Sequence, residues 1–215
     1  MKLNTLRAGG LAAAALTLSL GLTACGGDEP TTSANDTTQS DNTSKSDKSD
    51  EPMAQDASAD TYGAGCAQVP TDGAGSFNGM ATAPVASAAS ANPLLKTLVA
   101  AVTEAGLVEP LNSAPKLTVF APADPAFAAI PKKDMNAVMS DKQMLGSILK
   151  HHVVGEQISP DQLSGEFETL NGDKLTINGS GEMATIGDEK AKVLCGNIQT
   201  ANATVYVIDT VLMPS

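Results

Sequence analysis

The residues in this chain best suited to chemistry are two adjacent histidines, His151 and His152, and three cysteines, Cys25, Cys66 and Cys195. A histidine pair suits a metal site or an acid–base catalyst. Neighbouring residues on a helix or strand point in different directions, which argues against both gripping one ion. One of them with distant carboxylates is the remaining metal reading. The chain has no G-x-S-x-G, no H-E-x-x-H and no glycine-rich phosphate loop after a strand. No carboxylate spacing pairs two of them into a glycosidase dyad. The expectation is therefore a chain that is not an enzyme, with no metal site and no cofactor.

The cysteines depend on the compartment. Lys2 and Arg7 precede an apolar run from Ala8 to Leu22, and Leu22-Thr23-Ala24-Cys25 follows. A charged start, a short apolar core and small residues before a cut describe an export signal rather than a membrane span. The last four residues resemble a bacterial lipobox, in which cleavage precedes a cysteine that receives lipid. Residues 1–24 are thus read as a lipoprotein signal peptide and Cys25 as the lipidation site, the palmitate-type acyl chains anchoring the protein to the membrane. The alternative is an ordinary cut near Ala24 that leaves Cys25 free. Cys66 and Cys195 then form an even pair in an exported protein. They are expected as a disulfide rather than as metal ligands or a redox couple, which would want clustered cysteines. Closing a loop of roughly 130 residues is worth on the order of 5 kcal/mol in a chain-entropy treatment, less any native strain.

Net charge is −11 at pH 7. Residues 25–74 hold ten acidic and two basic side chains, and the rest of the mature chain fourteen and nine. With no basic patch, nucleic-acid binding lacks its electrostatic footprint. Residues 25–74 are read as an acidic Ser/Thr-rich linker with Cys66 near its end. Up to about residue 60 the segment holds almost no aliphatic side chain beyond alanine, too little to offset its ordering entropy, so disorder is expected. A flexible chain of roughly 35 residues spans about 30–35 Å. Thr31, Thr32, Thr37 and Thr38 suit O-glycosylation, as an alternative to a bare spacer.

The elements that must position the histidines come from periodicity. Asn92-Pro93 reads as a helix start before Leu94, Leu95, Leu98, Val99 and Val102, with a stop at Gly106. Asp124-Pro125 opens a short helix, and another turn is expected from Asp134 to Met139. Ser140 and Gln143 form a capping-box pattern before Met144, Leu145, Ile148 and Leu149. His152 extends that apolar stripe and is expected to be buried, whereas His151, beside Lys150, is expected to matter little for stability. Strands are expected at 117–120, 153–154, 168–170 and 174–177, with a hairpin turn at Asn171-Gly172. Further strands are expected at 183–186, 192–195, 198–200 and 204–209, Val205/Val207 facing away from Tyr206/Ile208 with one side buried. Helices first and a sheet later make an α+β fold. Asn178-Gly179-Ser180 and Asn202-Ala203-Thr204 match a glycosylation pattern but are read as turns.

Three segments carry a resemblance: LTVFAPADPAFAAI (117–130), ILKHHVVGEQISPDQL (148–163) and TANATVYVIDTVLMPS (200–215). In this order they resemble the fasciclin (FAS1) domain, and the whole chain is similar to the secreted and surface fasciclin-domain antigens of actinobacteria. The resemblance implies a FAS1 domain over residues 75–215: a β-wedge of two antiparallel sheets, about seven strands, with several helices packed over it. It implies a non-catalytic adhesion or binding module, lipid-anchored to the cell membrane and exposed at the surface, with partial release. The implied partners are the membrane, through the lipid, and a host or cell-surface protein or glycan; no nucleic acid is expected, and the chain is expected to be a monomer. His151 and His152 fall where the family has its Tyr-His motif, a candidate binding or structural element in which His151 departs from the tyrosine. A second reading is a carrier holding a small apolar ligand between sheet and helices.

Overall fold

In the computed structural model, which describes residues 56–214, the fold is built around the first and last strands of the sheet, which lie side by side. Strand β1, Leu117–Pro122, lies parallel to β7, Ala203–Ile208, in register from Leu117 opposite Ala203 to Pro122 opposite Ile208. The remaining strands are β2 (Val153–Val154), β3 (Gly165–Glu168), β4 (Lys174–Asn178), β5 (Thr185–Ile186) and β6 (Ala191–Gln199). They form one hydrogen-bonded order of seven, β2-β1-β7-β6-β5-β4-β3, every pair except β1–β7 antiparallel. The signal peptide, Cys25 and the threonines Thr31, Thr32, Thr37 and Thr38 lie outside the described residues.

Alternation along the central strands sorts the side chains into two cores. Leu117, Val119 and Ala121 of β1 join Ala203, Val205 and Val207 of β7 in a cluster covered by helices. Phe120, Tyr206 and Ile208 point the other way and pack with Leu175 and Ile177 of β4 and Ile186 of β5. The β3–β4–β5 half therefore folds back over the β1–β7–β6 half, which makes the wedge. The fold is achieved along β6, whose pairing with β7 slips between Val193 and Cys195 and again between Cys195 and Ile198. Two strands expected separately at 192–195 and 198–200 are this one bent strand. Every residue of β7 is buried, so the one-sided burial expected for 204–209 gives way to a central strand covered on both faces.

The helices are α1 (Phe77–Ala81), α2 (Val85–Ala91), α3 (Lys96–Glu104), α4 (Val108–Ser113), α5 (Asp124–Ala128), α6 (Lys132–Ser140) and α7 (Lys142–His151). Their caps differ from the local reading. Asn92 Oδ1 accepts from Leu94 N in a turn ahead of α3. The start of α3 is capped from a distance instead, Asp124 Oδ1 accepting from Thr97 N at 2.8 Å. Asp141 caps α7 by accepting from Gln143 N and Met144 N, while the Ser140 hydroxyl donates back to Asn136 O and closes α6. A β-region aspartate immediately before the helix outcompetes the serine one residue earlier. Gly106, at φ 69°, ends α3 as expected for a left-handed stop.

The boundary drawn at residue 75 moves toward the N-terminus. Tyr62 forms a β-bridge with Gly196, each backbone N–H donating to the other's carbonyl. A 3-10 turn, Ala64–Gln68, follows, and Val69 is buried. Cys66 in that turn is bonded to Cys195 in β6, across 129 residues of sequence. The segment stays on the domain because it supplies sheet hydrogen bonds, a disulfide and one apolar anchor, which composition alone does not register. A Cβ at Gly196 would run into the Tyr62 ring, which would have to move off the strand.

One asparagine ties the helical layer to the sheet. Asn202, in the β6–β7 turn, accepts from Val85 N at 2.9 Å and donates to Leu111 O and Ala114 O, both at 2.8 Å. It thereby satisfies terminal groups of α2 and α4 at once. Asn178, in the other glycosylation-like triplet, is exposed. Asn202→Ala leaves three backbone groups without their partner and should cost about 2 kcal/mol or more, lowering the melting temperature by roughly 5 °C, while Asn178→Ala changes it little. Thermal unfolding of the two variants by circular dichroism measures the contrast.

Candidate functional site

The histidines sit where α7 hands over to β2. His151 ends the helix, and His152 is its C-terminal cap at φ −79°, ψ −1°. His152 is 2 % exposed. Its Nδ1–H donates to Ile148 O, one turn earlier, at 2.8 Å, and its Nε2 accepts from Leu212 N at 2.9 Å. A carbonyl can only accept and an amide can only donate, so the two partners fix the neutral Nδ1–H tautomer. Burial, above all, together with the neighbouring His151, lowers the His152 pKa to about 4, against the opposing pull of the Ile148 carbonyl. At neutral pH its one N–H is committed to Ile148 O, and its one lone pair is taken by Leu212 N.

His151 is also buried, at 4 % exposed, contrary to the minor structural role expected for it. Its Nδ1–H donates to Asp173 Oδ1 at 2.8 Å. Asp173 also accepts from the Thr169 hydroxyl and from Asn171 Nδ2. Burial pushes the Asp173 carboxyl up, but the hydrogen bonds from Thr169, Asn171 and His151 outweigh it and hold the pKa at about 2. These groups close the β3–β4 hairpin tip and pin it to α7. Leu170 N donates to Val153 O beside them, which draws residues 169–170 out of β3 and ends that strand at Glu168. The correction has a simple cause: the cover over His151 arrives from 22 residues further on, where no helical period can register it.

The tyrosines are held protonated. Burial raises Tyr62 to about 12, helped by Glu182. Tyr206, stacked on Phe120, donates to Ile158 O and is raised further by burial. Among the described residues no group of three His, Cys, Asp or Glu side chains could hold a metal ion. No helix among them is long and apolar enough to cross a membrane.

Beside His152 lies a cavity of about 290 Å³, between α2, α3 and α4 on one side and β1, β2 and the end of α7 on the other. Its floor is Val119, Phe120, Leu149, His152 and Val153, and its roof includes Val85, Leu98, Val102 and Leu111. Neither polar side chain in the interior wall is free to donate. The His152 Nδ1–H is engaged, and the Ser90 hydroxyl donates to Ala86 O. Lys150 and the half-exposed Leu170 stand at the rim. Sequence reasoning missed its roof, because α2 and α4 are short, alanine- or proline-bearing helices with no cap signal of their own.

A folded-back sheet under helices, with its histidine pair and Tyr206 bonded into the fold, defines an α+β wedge domain. The chain belongs to the fasciclin family: the Fasciclin domain matches residues 93–214. It is 44 % identical over 168 residues to the cell surface glycolipoprotein MPB83 of Mycobacterium bovis, covering 74 % of each chain. It is 44 % identical over 167 residues to the immunogenic protein MPB70 of the same species, covering 74 % of this chain and 84 % of that one. Among solved structures it is similar to a FAS1 domain pair from the insect cell adhesion molecule Fasciclin I, at 24 % identity and a TM-score of 0.47, over 55 % of this chain and 45 % of that one.

The two histidines give opposed expectations to those of a catalyst. Unfolded histidine binds its proton near pH 6.5 and folded His152 near pH 4. The unfolded state thus binds more protons in between. The stabilisation is complete above pH 6.5 and is lost as pH falls toward 4, by roughly 3 kcal/mol in all. His152→Gln should be less stable at pH 7 and show a flatter loss of stability between pH 6.5 and 4.5. His151→Ala should also destabilise, by about 1 kcal/mol or more, since it removes one of the three side-chain hydrogen bonds to Asp173 and empties a buried site. Urea midpoints at the two pH values check both.

Proposed function

We propose that the protein is a surface-displayed, non-catalytic binding module of the adhesion type, anchored by lipid at Cys25 and held off the membrane by the acidic linker. The observation that carries this reading is the engagement of the histidine pair and its carboxylate. Among the described residues the His152 lone pair is taken by Leu212 N, Asp173 is committed to His151, Thr169 and Asn171, and Tyr206 donates to Ile158 O, while the Tyr62 hydroxyl is buried without a partner. The relatives' names support the location: MPB83 is called a cell surface glycolipoprotein. Cys25 suits the lipid of such a protein, and Thr31, Thr32, Thr37 and Thr38 suit its sugars. The partner is a cell-surface or host protein or glycan, met by the domain as a monomer.

A second reading, carriage of a small apolar ligand, is favoured by one observation, the cavity of about 290 Å³ with no free side-chain donor inside.

Two measurements test the first reading. Wild-type protein should enter the detergent phase on detergent partitioning and Cys25→Ser the aqueous phase; equal partitioning would exclude the anchor. The Cys25→Ser protein, immobilised and exposed to glycan arrays and to surface-labelled host and bacterial cells, should retain at least one partner. Retention of none, in a folded sample, would count against the binding role.

A further inference from the structure

We infer that the cavity beneath α2, α3 and α4 receives the hydrocarbon chain of a single-chain anionic amphiphile, a fatty-acid-like monocarboxylate, with Lys150 at the rim meeting the head group. This rests on the carrier reading and gives it a ligand class.

The interior is apolar and offers a ligand no side-chain donor. Both ring nitrogens of His152 are taken by Ile148 O and Leu212 N, and the Ser90 proton is given to Ala86 O. A polar ligand atom inside would lose its water and gain no side-chain donor in return. The volume sets the length. An apolar cavity of 150 Å³ takes a six-carbon ring, so about 290 Å³ suits about twelve carbons. Two long acyl chains of a bilayer lipid do not fit that space.

The rim sets the head group. Lys150 is the charged residue of the lining, in a chain whose net charge is −11. Among the described residues its ammonium enters no ion pair, unlike Lys142 with Glu104 and Lys174 with Glu166. Leu170 lines the same cavity, 46 % exposed, at the tip of the hairpin that His151 and Asp173 hold against α7. An apolar lip and an unpaired cation in one lining match the first methylenes and the carboxylate of such a ligand. A neutral or cationic head would leave Lys150 unsatisfied or repelled.

Full-length Cys25→Ser protein, free of its own acyl chains, is titrated with dodecanoate, dodecanol and dodecyltrimethylammonium below their micellar concentrations, and followed by calorimetry and native mass spectrometry. Dodecanoate should bind one to one and at least tenfold tighter than either other probe. Lys150→Met should weaken dodecanoate about tenfold and leave dodecanol within twofold. Val102→Phe, which fills the cavity, should abolish binding of all three while leaving the melting temperature equal or higher. Equal affinities for dodecanoate and dodecanol, unchanged by Lys150→Met, would overturn the head-group assignment and leave the carrier reading standing. No binding of any probe by the folded protein would overturn both. Binding to phosphatidylglycerol vesicles without binding the monomeric probe would overturn the single-chain assignment.

Discussion

The His152 side chain joins two pieces of chain, the end of α7 and the C-terminal segment, that otherwise meet through the apolar contact of Ile148 with Val211. One nitrogen closes the last turn of α7 on Ile148 O; the other receives the Leu212 amide from the C-terminal segment beyond β7. Leu212 and its neighbour Val211 are both buried, so the segment that closes the domain is positioned by this ring. The bond requires a neutral imidazole, a donor on one side and an acceptor on the other, in a volume that an arginine or lysine would overfill and an alanine would leave orphaned. Both the wedge core under Leu212 and the floor of the cavity depend on that geometry.

Three other polar clamps repeat the logic at a distance. Asp124 caps α3 from the start of α5, Asn202 holds α2 and α4 from the sheet, and Asp173 holds the hairpin to His151. Each satisfies backbone or ring groups that would otherwise be buried without partners. Together with the Cys66–Cys195 bond they add fixed points to the apolar packing of the helices on the sheet. A layer held in this way need not fill every space beneath it, and the cavity lies between these points.

What the sequence made legible follows from how local the physics is. The α+β division, the Asn171-Gly172 hairpin, the Gly106 stop and the apolar stripe reaching His152 are all short-range patterns. The resemblance to fasciclin domains rested on longer runs and named the family that the Fasciclin match then showed. Illegible were effects with a remote partner. Nothing near His151 announces Asp173, and nothing near Asp124 announces that it caps a helix 27 residues earlier. Likewise the 62–69 strap looks like linker until Gly196 and Cys195 are brought beside it. The cavity was conceivable from the fold but its walls were not, because α2 and α4 are short and the group that ties their ends, Asn202, lies far away in sequence.

The central claim is that the histidine pair belongs to the architecture and not to chemistry, and the ring of His152 reports on it directly. Long-range nitrogen–proton correlation spectra of the two imidazoles, recorded from pH 8 down to 3.5, identify each tautomer and its titration. The structure predicts that His152 stays in the Nδ1–H form, Nε2 unprotonated, until about pH 4. A midpoint near pH 6.5, or an Nε2–H tautomer at neutral pH, would contradict it.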